Sequence, residues 1–243
     1  MTITPSTPVA LVTGAAHGLG REVARQLAER GHAVLVSARD PAAAAQTAEE
    51  LGASVIALPA LDLTDPDSVG RVVDAIGADP GRLDVLVNNA AAFVDWSETG
   101  SGADLDAARV VLETNLFGTW RLTQALLPLL RRSPEPRVVN VSSGAGSHGD
   151  PAFGLTARGG AAASYGISKA ALNALTATLA TELADTGVLV NSVCPGLTAT
   201  YPGAEAMGAR PVQESARGVV WAATLPADGP NGGFFRDTEP LPW

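Results

Sequence analysis

The sequence of 243 residues predicts an α/β fold, a doubly wound parallel sheet of about seven strands flanked by helices within one domain. Short β-rich runs alternate with longer helical patterns, which is the rhythm of a parallel sheet. The runs are apolar at successive positions rather than at every second one, as strands covered by helices on both faces require. No internal repeat or long linker interrupts this alternation, so a single domain spanning 1–243 is expected.

Taken in order, the strand candidates are VALVT in the 8–13 region, HAVLVSA (32–38), ASVIAL (53–58), LDVLVN (83–88), RVVNVS (137–142) and GVLVNSV (187–193). Helical patterns fill 21–29, 41–51, 66–76, 105–130, 164–184 and 212–224. Asp40-Pro41 and Asp65-Pro66 each set a capping carboxylate before a proline suited to a first turn. Pro128 is expected to end or kink its helix, because it lacks the N–H that the turn needs.

Composition narrows the function. A hydrophobic fraction of 46% and a charged fraction of 17% describe a chain able to bury a sizeable core. The net charge of −9 comes from scattered acidic residues and argues against a nucleic-acid partner. The first apolar run, 9–12, is too short to span a membrane, so no membrane partner is expected. The lone Cys194 can form no internal disulfide, which suits a reducing, cytoplasmic setting; it reads as a small buried hydrophobe with no chemistry. No metal site is expected.

The first strand runs into Thr13-Gly-Ala-Ala-His-Gly-Leu-Gly20, where Gly14, Gly18, Leu19 and Gly20 lead into a helix. Glycines there permit a tight turn and let backbone N–H groups at the helix N-terminus approach a pyrophosphate. The second strand ends in Ala38-Arg39. An NAD site wants an acidic residue at that point, whereas arginine accommodates the 2′-phosphate of NADP. NADPH/NADP+ is therefore expected ahead of NAD(H), with Arg39 as the phosphate donor and His17 placed to add a second contact.

The stretch ASYGISKAA (163–171) holds Lys169, the only lysine of the chain, four residues after Tyr165. Leu172, Leu175, Leu179 and Leu183 form a stripe at helical spacing, and Tyr165 and Lys169 lie together at its edge. A cation turned toward the buried side needs partners. A bound ribose and a nearby phenol would supply them, and the cation is expected to lower the phenol pKa from its ordinary value of about 10. Tyr165 then becomes a usable proton donor.

With these motifs the chain resembles the short-chain dehydrogenase/reductase family, and the resemblance covers nearly all of it. The matching segments are the glycine-rich turn, Leu61-Asp62, Asn88-Asn89-Ala90-Ala91, Asn115, Ser142-Ser143, Tyr165-Gly-Ile-Ser-Lys169 and Pro195-Gly196, in the family's order. The resemblance implies a Rossmann fold in which Ser143 and Tyr165 hydrogen-bond a substrate carbonyl, with Tyr165 as acid. It further implies that Lys169 holds the nicotinamide ribose and tunes the tyrosine, and that Asn115 anchors a water relaying protons. Asp62, with Leu63 beside it, would meet the adenine. Asn88, Asn89, Ala90 and Ala91 would flank the cofactor, as would Pro195 and Gly196, and Thr198 and Thr200 would lie near the carboxamide. Ser143 is favoured over Ser142 because the family sets its serine just before the loop.

Two departures stand out. Ala91 replaces the family's usual glycine, which is tolerated if its φ is negative. An insertion loop (144–163) separates Ser143 from Tyr165, and together with a substrate loop (197–211) it is expected to shape specificity. Ser147, His148, Phe153 and Leu155 are pocket candidates with Phe93, Trp96 and Tyr201. The insertion and the ending GPNGGFFRDTEPLPW look most like the carbonyl-reductase branch. The expected activity is NADPH-dependent reduction of a small-molecule ketone or aldehyde. An epimerase or dehydratase and a non-catalytic NADP sensor are the alternatives. The oligomeric state, monomer or homodimer or tetramer, is left open.

Overall fold

Each apolar run of the sequence becomes a strand, buried throughout except in the third run, where Ile56 and Ala57 are half-buried. The computed structural model describes residue 4, residues 6–201 and residues 203–243; residues 1–3 and 5 of the expected domain and Pro202 of the expected 197–211 loop lie outside the described residues. The strands are β1 (Val9–Thr13), β2 (Ala33–Ser37), β3 (Val55–Ala57), β4 (Val85–Asn88), β5 (Arg137–Val141) and β6 (Leu189–Val193), followed by β7 (Phe234–Arg236) and β8 (Glu239–Pro240). The helices are α1 (Gly18–Glu29), α2 (Pro41–Leu51), α3 (Pro66–Ala78), α4 (Leu105–Leu112), α5 (Thr119–Leu130), α6 (Ala163–Glu182) and α7 (Val212–Ala223).

The strands form one sheet of order β3-β2-β1-β4-β5-β6-β7-β8, parallel except for the antiparallel β7-β8 pair. Alternate residues face opposite layers. Val9, Leu11, Leu86, Val138 and Val190 pack with Leu122, Leu126 and Leu172 on one face; Ala10, Val12, Val34, Val87 and Val139 pack with Val23, Leu27 and Val219 on the other. This explains the uninterrupted apolar runs: both faces are covered, and each fully buried Val or Leu contributes about 1.5–3 kcal/mol. Asp40 and Asp65 cap their helices as expected, accepting from the N–H groups of Ala42 and Asp67, each at 2.9 Å.

The strand order reverses between β1 and β4, since β1 is followed in sequence by β2 on one side while β4 lies on its other side. In open α/β sheets the crevice outside the carboxyl ends at such a reversal is where ligands bind. The residues at those carboxyl ends are polar. Asn88 pairs in register with Asn140, and Asn140 with Ser192. Beneath the crevice, Asn88 Nδ2 donates to Thr123 Oγ1 (3.1 Å) and Asn140 Oδ1 (2.8 Å), Asn140 Nδ2 donates to Thr176 Oγ1 (2.8 Å), and Thr176 meets Ser192 at 2.8 Å. This buried chain ties β4, β5 and β6 to α5 and α6, and so fixes α6 in depth and rotation.

Two elements differ from the sequence reading. The helix expected over 105–130 is interrupted by a π turn at Glu113–Gly118, between α4 and α5. Gly118 explains the close passage there, because a Cβ on it would lie 2.6 Å from the main-chain oxygen of Leu63. Pro128 lies inside α5, which ends at Leu130, two residues beyond it. The sheet has eight strands, the last two contributed by a hairpin turned by Asp237 (φ 52°) and Thr238 (φ 75°). Positive φ at both central positions is the twist of a type I′ turn, usually signalled by Asn-Gly. Asp-Thr carries no such signal.

Candidate functional site

A cleft of about 1090 Å³ opens above the carboxyl ends of the strands. Its lining includes Gly14, His17, Gly18, Leu19, Gly20, Arg39, Asp62, Leu63, Asn89, Ala90, Ala91, Pro195, Gly196, Thr198 and Thr200, together with Ser143, Tyr165 and Lys169. Of the residues expected to bind the cofactor or act in catalysis, two are elsewhere. Asn88 is buried, with its amide N–H groups spent in the chain that crosses the sheet. Asn115 lies behind the wall rather than in it.

The glycine-rich turn forms one end. Gly14 sits at φ +64°, and a Cβ there would come within 2.9 Å of Ala90 Cα, so only glycine lets β1 and β4 exit side by side. Thr13 locks the two loops, its Oγ1 accepting from the N–H groups of Asn89 and Ala90 at 3.0 Å each. His17 occupies the cap position of α1 with its backbone extended and no side-chain capping bond, and no acidic residue lies in the first turn. The α1 N-terminus thus presents uncapped N–H groups and its positive dipole end to the cleft. Arg39 stands exposed at the end of β2 beside the small Ala38. Asp62 turns its carboxylate onto Thr64, accepting from the Thr64 hydroxyl (2.7 Å) and N–H (2.9 Å), and these bonds hold it below the usual carboxylate range. Ala91 is absent from the residues with positive φ, so its extra methyl is accommodated.

At the other end the sequence places Tyr165 and Lys169 one turn apart on α6. Lys169 is buried, and its Nζ donates to the Val141 carbonyl at 2.9 Å and lies 5.7 Å from the Tyr165 ring centroid. Burial disfavours the ammonium and brings its pKa down to about 8. The Ser143 hydroxyl reaches the phenol as a hydrogen-bond partner, whereas Ser142 Oγ turns toward the Lys169 carbonyl at 3.5 Å. Alternation along the strand exit separates the two serines. The expected lowering of the Tyr165 pKa is corrected: burial dominates and pushes the phenol above its ordinary value, Ser143 opposes this, and Cys194 adds to it. The reason is that the nearby cation is itself desolvated and is held by Val141.

Asn115 is brought in by the π turn. Its Oδ1 accepts from Ala92 N–H (2.7 Å), and its Nδ2 donates to the Ala92 carbonyl and to Ser168 Oγ, both at 3.0 Å. Both amide hydrogens are therefore used by protein partners. It is a clamp between the loop after β4 and the helix that bears Tyr165.

The sequence reading overlooked several contributors. Glu98 caps α6, its carboxylate accepting from Ser164 N–H (2.8 Å) and Ser164 Oγ (2.7 Å); this anion sits at the helix's positive end. Cys194 does more than fill space, because Sγ accepts from the Gly144 N–H at 3.1 Å and from Arg236 Nε at 3.4 Å. Arg158, Leu197, Met207 and Arg236 line the cleft as well. Leu197 and Met207 fall inside the loop expected to shape specificity, whereas Arg236 rides on the unforeseen β7 and offered no local signal.

Of the pocket candidates, Phe93, Trp96, Phe153 and Tyr201 line the cleft. Phe93 stacks on Tyr165 (centroids 5.3 Å apart, 21° between planes), and Trp96 meets the same ring edge-on at 5.4 Å. Ser147, His148 and Leu155 are outside the lining. Ser147 Oγ donates to the Pro242 carbonyl at 2.6 Å, His148 N–H donates to the Trp243 main-chain oxygen at 2.8 Å, and Leu155 packs against Gly166. Ser147 and His148 fasten the insertion to the residues that follow β8, and Leu155 packs it onto α6.

A doubly wound sheet with a glycine-rich turn after β1, and a serine, tyrosine and lysine meeting at the far end of one cleft, defines a class of dehydrogenase-like α/β proteins. The chain belongs to the short-chain dehydrogenase family, whose model matches residues 8–207. A relative, (+)-neomenthol dehydrogenase of Capsicum annuum, is 30% identical, the match covering 97% of this chain and 98% of that protein. Among solved structures, the NADPH-bound carbonyl reductase from chicken fatty liver is similar with a TM-score of 0.83 and 25% identity, covering 98% of this chain and 99% of that one. The 3-ketoacyl-(acyl-carrier-protein) reductase from Brucella melitensis complexed with NADH gives a TM-score of 0.81 and 25% identity, covering 94% and 96%. No helix among the described residues is long and apolar enough to cross a membrane, and no cluster of metal-ligating residues was found among them.

Proposed function

We propose that this chain is an NADPH-dependent reductase that converts a ketone or aldehyde to an alcohol, with Tyr165 as proton donor. The observation that carries this reading is the layout of one cleft: an uncapped helix N-terminus and Arg39 at one end, and the Ser143–Tyr165–Lys169 group at the other. The residues present fit a nicotinamide dinucleotide. The α1 N-terminus would take the pyrophosphate, Arg39 the 2′-phosphate and Asp62 with Leu63 the adenine side. Asn89, Ala90, Ala91, Pro195, Gly196, Thr198 and Thr200 would wall the remainder. When bound, the dinucleotide supplies a hydride.

The protein's own residues do the rest. Ser143 and the phenol of Tyr165 present two hydrogen-bond donors to one carbonyl oxygen, and so stabilise charge developing there. A phenol with a raised pKa keeps its proton near neutral pH and can release it to an alkoxide, a far stronger base. Lys169, still mostly protonated at pH 7 with a pKa of about 8, offers its remaining N–H groups to the ribose side of the cleft. Phe93 and Trp96 keep water from the phenol ring. Asn115 acts as a positioning residue, holding Ala92 and α6 at a fixed separation.

The test is the decay of NADPH absorbance at neutral pH over a panel of aromatic, aliphatic and cyclic ketones and aldehydes, with NADH run in parallel. Turnover that favours NADPH is expected. Tight NADPH binding without turnover of any compound would replace the reductase with a dinucleotide-sensing role.

A further inference from the structure

Resting on the reductase reading, we propose that the substrate is an aromatic ketone bearing a carboxylate or similar anionic group remote from its carbonyl, and that Arg158 recognises that group. The chain carries a net charge of −9, yet the cleft is lined by Arg39, Arg158, Lys169 and Arg236 against one carboxylate, Asp62. Arg39 and Lys169 serve the dinucleotide in the reading above. Arg236 is neutralised by the buried Asp150 at 2.5 Å. Arg158 remains. It takes part in none of the ion pairs found among the described residues.

Its position is fixed by the chain rather than by a charge partner. Arg158 adopts φ 54°, a left-handed conformation that a non-glycine residue adopts at a cost, and its guanidinium lies 6.0 Å from the Phe153 ring centroid. Arg236 approaches the same ring at 5.6 Å. Two guanidiniums thus lie near the Phe153 ring, and the one of Arg158, in the cleft lining, has no carboxylate partner. Phe93, stacked on Tyr165, offers an aromatic wall beside the phenol, with its side chain 61% exposed. A flat ring lying against that wall brings a carbonyl to Tyr165, and an anion at its far end meets a guanidinium suited to bidentate contact with a carboxylate.

The probes are 4-acetylbenzoate, 4′-acetylbiphenyl-4-carboxylate and their methyl esters. Each is measured for kcat/KM at saturating NADPH and, separately, for quenching of tryptophan fluorescence, to which Trp96 in the cleft wall contributes. At least one acid is expected to be preferred over its ester by about fivefold or more at low salt, with the preference shrinking as salt rises. Arg158→Gln should abolish the preference by lowering the acid's kcat/KM and quenching to the level of its ester, and Arg158→Lys should keep part of it. Equal binding of acid and ester to the wild type, or a preference that survives in Arg158→Gln, overturns the proposal. Failure of the reductase reading is distinguishable: an acid preference lost in Arg158→Gln, seen in quenching with no ketone turned over, supports the anion site and removes the reductase activity.

Discussion

The Nζ of Lys169 donates to the main-chain carbonyl of Val141 at 2.9 Å, so the only lysine of the chain is held by the end of the strand that leads to Ser143. Burial brings its pKa down to about 8, whereas an unfolded lysine keeps its proton up to about 10.4. Between those values the unfolded chain binds more protons at this group, so its contribution to stability rises with pH across that window. Tyr165, pushed upward, contributes stability that is present at lower pH and is lost only above the ordinary phenol value of about 10. Urea denaturation at pH 7 and pH 9.5 should show a rise of on the order of 2 kcal/mol attributable to Lys169. Lys169→Met should lack that rise; a variant retaining it would place the titration elsewhere.

Tyr165→Phe removes the phenolic proton and keeps the ring against Phe93 and Trp96. NADPH binding should be unchanged by fluorescence titration, while turnover falls by about 10²–10⁴-fold. A variant with the wild-type rate would end the acid assignment.

Arg39→Ala removes a guanidinium that stands exposed at the end of β2. NADPH affinity should fall by about tenfold or more, the scale of a lost hydrogen bond between charged groups. NADH affinity should change little. Equal losses for both dinucleotides would assign Arg39 a role unrelated to the 2′-phosphate.

Asn115→Ala strands the N–H and carbonyl of Ala92 and one bond of Ser168. Leaving buried polar groups without partners costs about 1–3 kcal/mol, measurable as a shift in the urea midpoint. Because the clamp also sets the distance from the loop after β4 to α6, kcat should fall more than KM rises. A stability loss with kcat intact would make Asn115 purely structural.

Glu98→Gln keeps the shape of the α6 cap but removes its charge. About 0.3–1 kcal/mol of stability should go with the lost charge–dipole attraction, and less at high salt. Thermal denaturation in low and high salt separates the two.

The strands β1 to β6 and the outline of the helices are readable because burial on both faces leaves long apolar runs and because aspartate caps mark helix starts. The cleft's dinucleotide end is readable for a related reason: Gly14, Gly18 and Gly20 answer a local backbone demand that only glycine meets well. What escapes is non-local. The π turn gives no periodic signal distinguishable from an ordinary helix, so Asn115's true partners were out of reach. Glu98, Arg158 and Arg236 acquire their meaning from contacts across the fold, with α6, Phe153 and Asp150, and nothing adjacent in sequence announces them. The direction of the Tyr165 shift is not legible in the sequence, which shows the cation nearby but not the depth at which both groups lie.

The position of β7 bears on how the molecule opens. It is laid against β6 near the edge of the sheet, and it carries Arg236 to Asp150 of the insertion. β7 meets β6 at two register positions, whereas β5 and β6 share five. The β7-β8 hairpin can therefore open locally while the central strands stay paired and the glycine turn keeps its shape. Amide exchange at that edge would then report on the substrate end of the cleft, where Arg236 lies, long before it reports on the centre of the sheet.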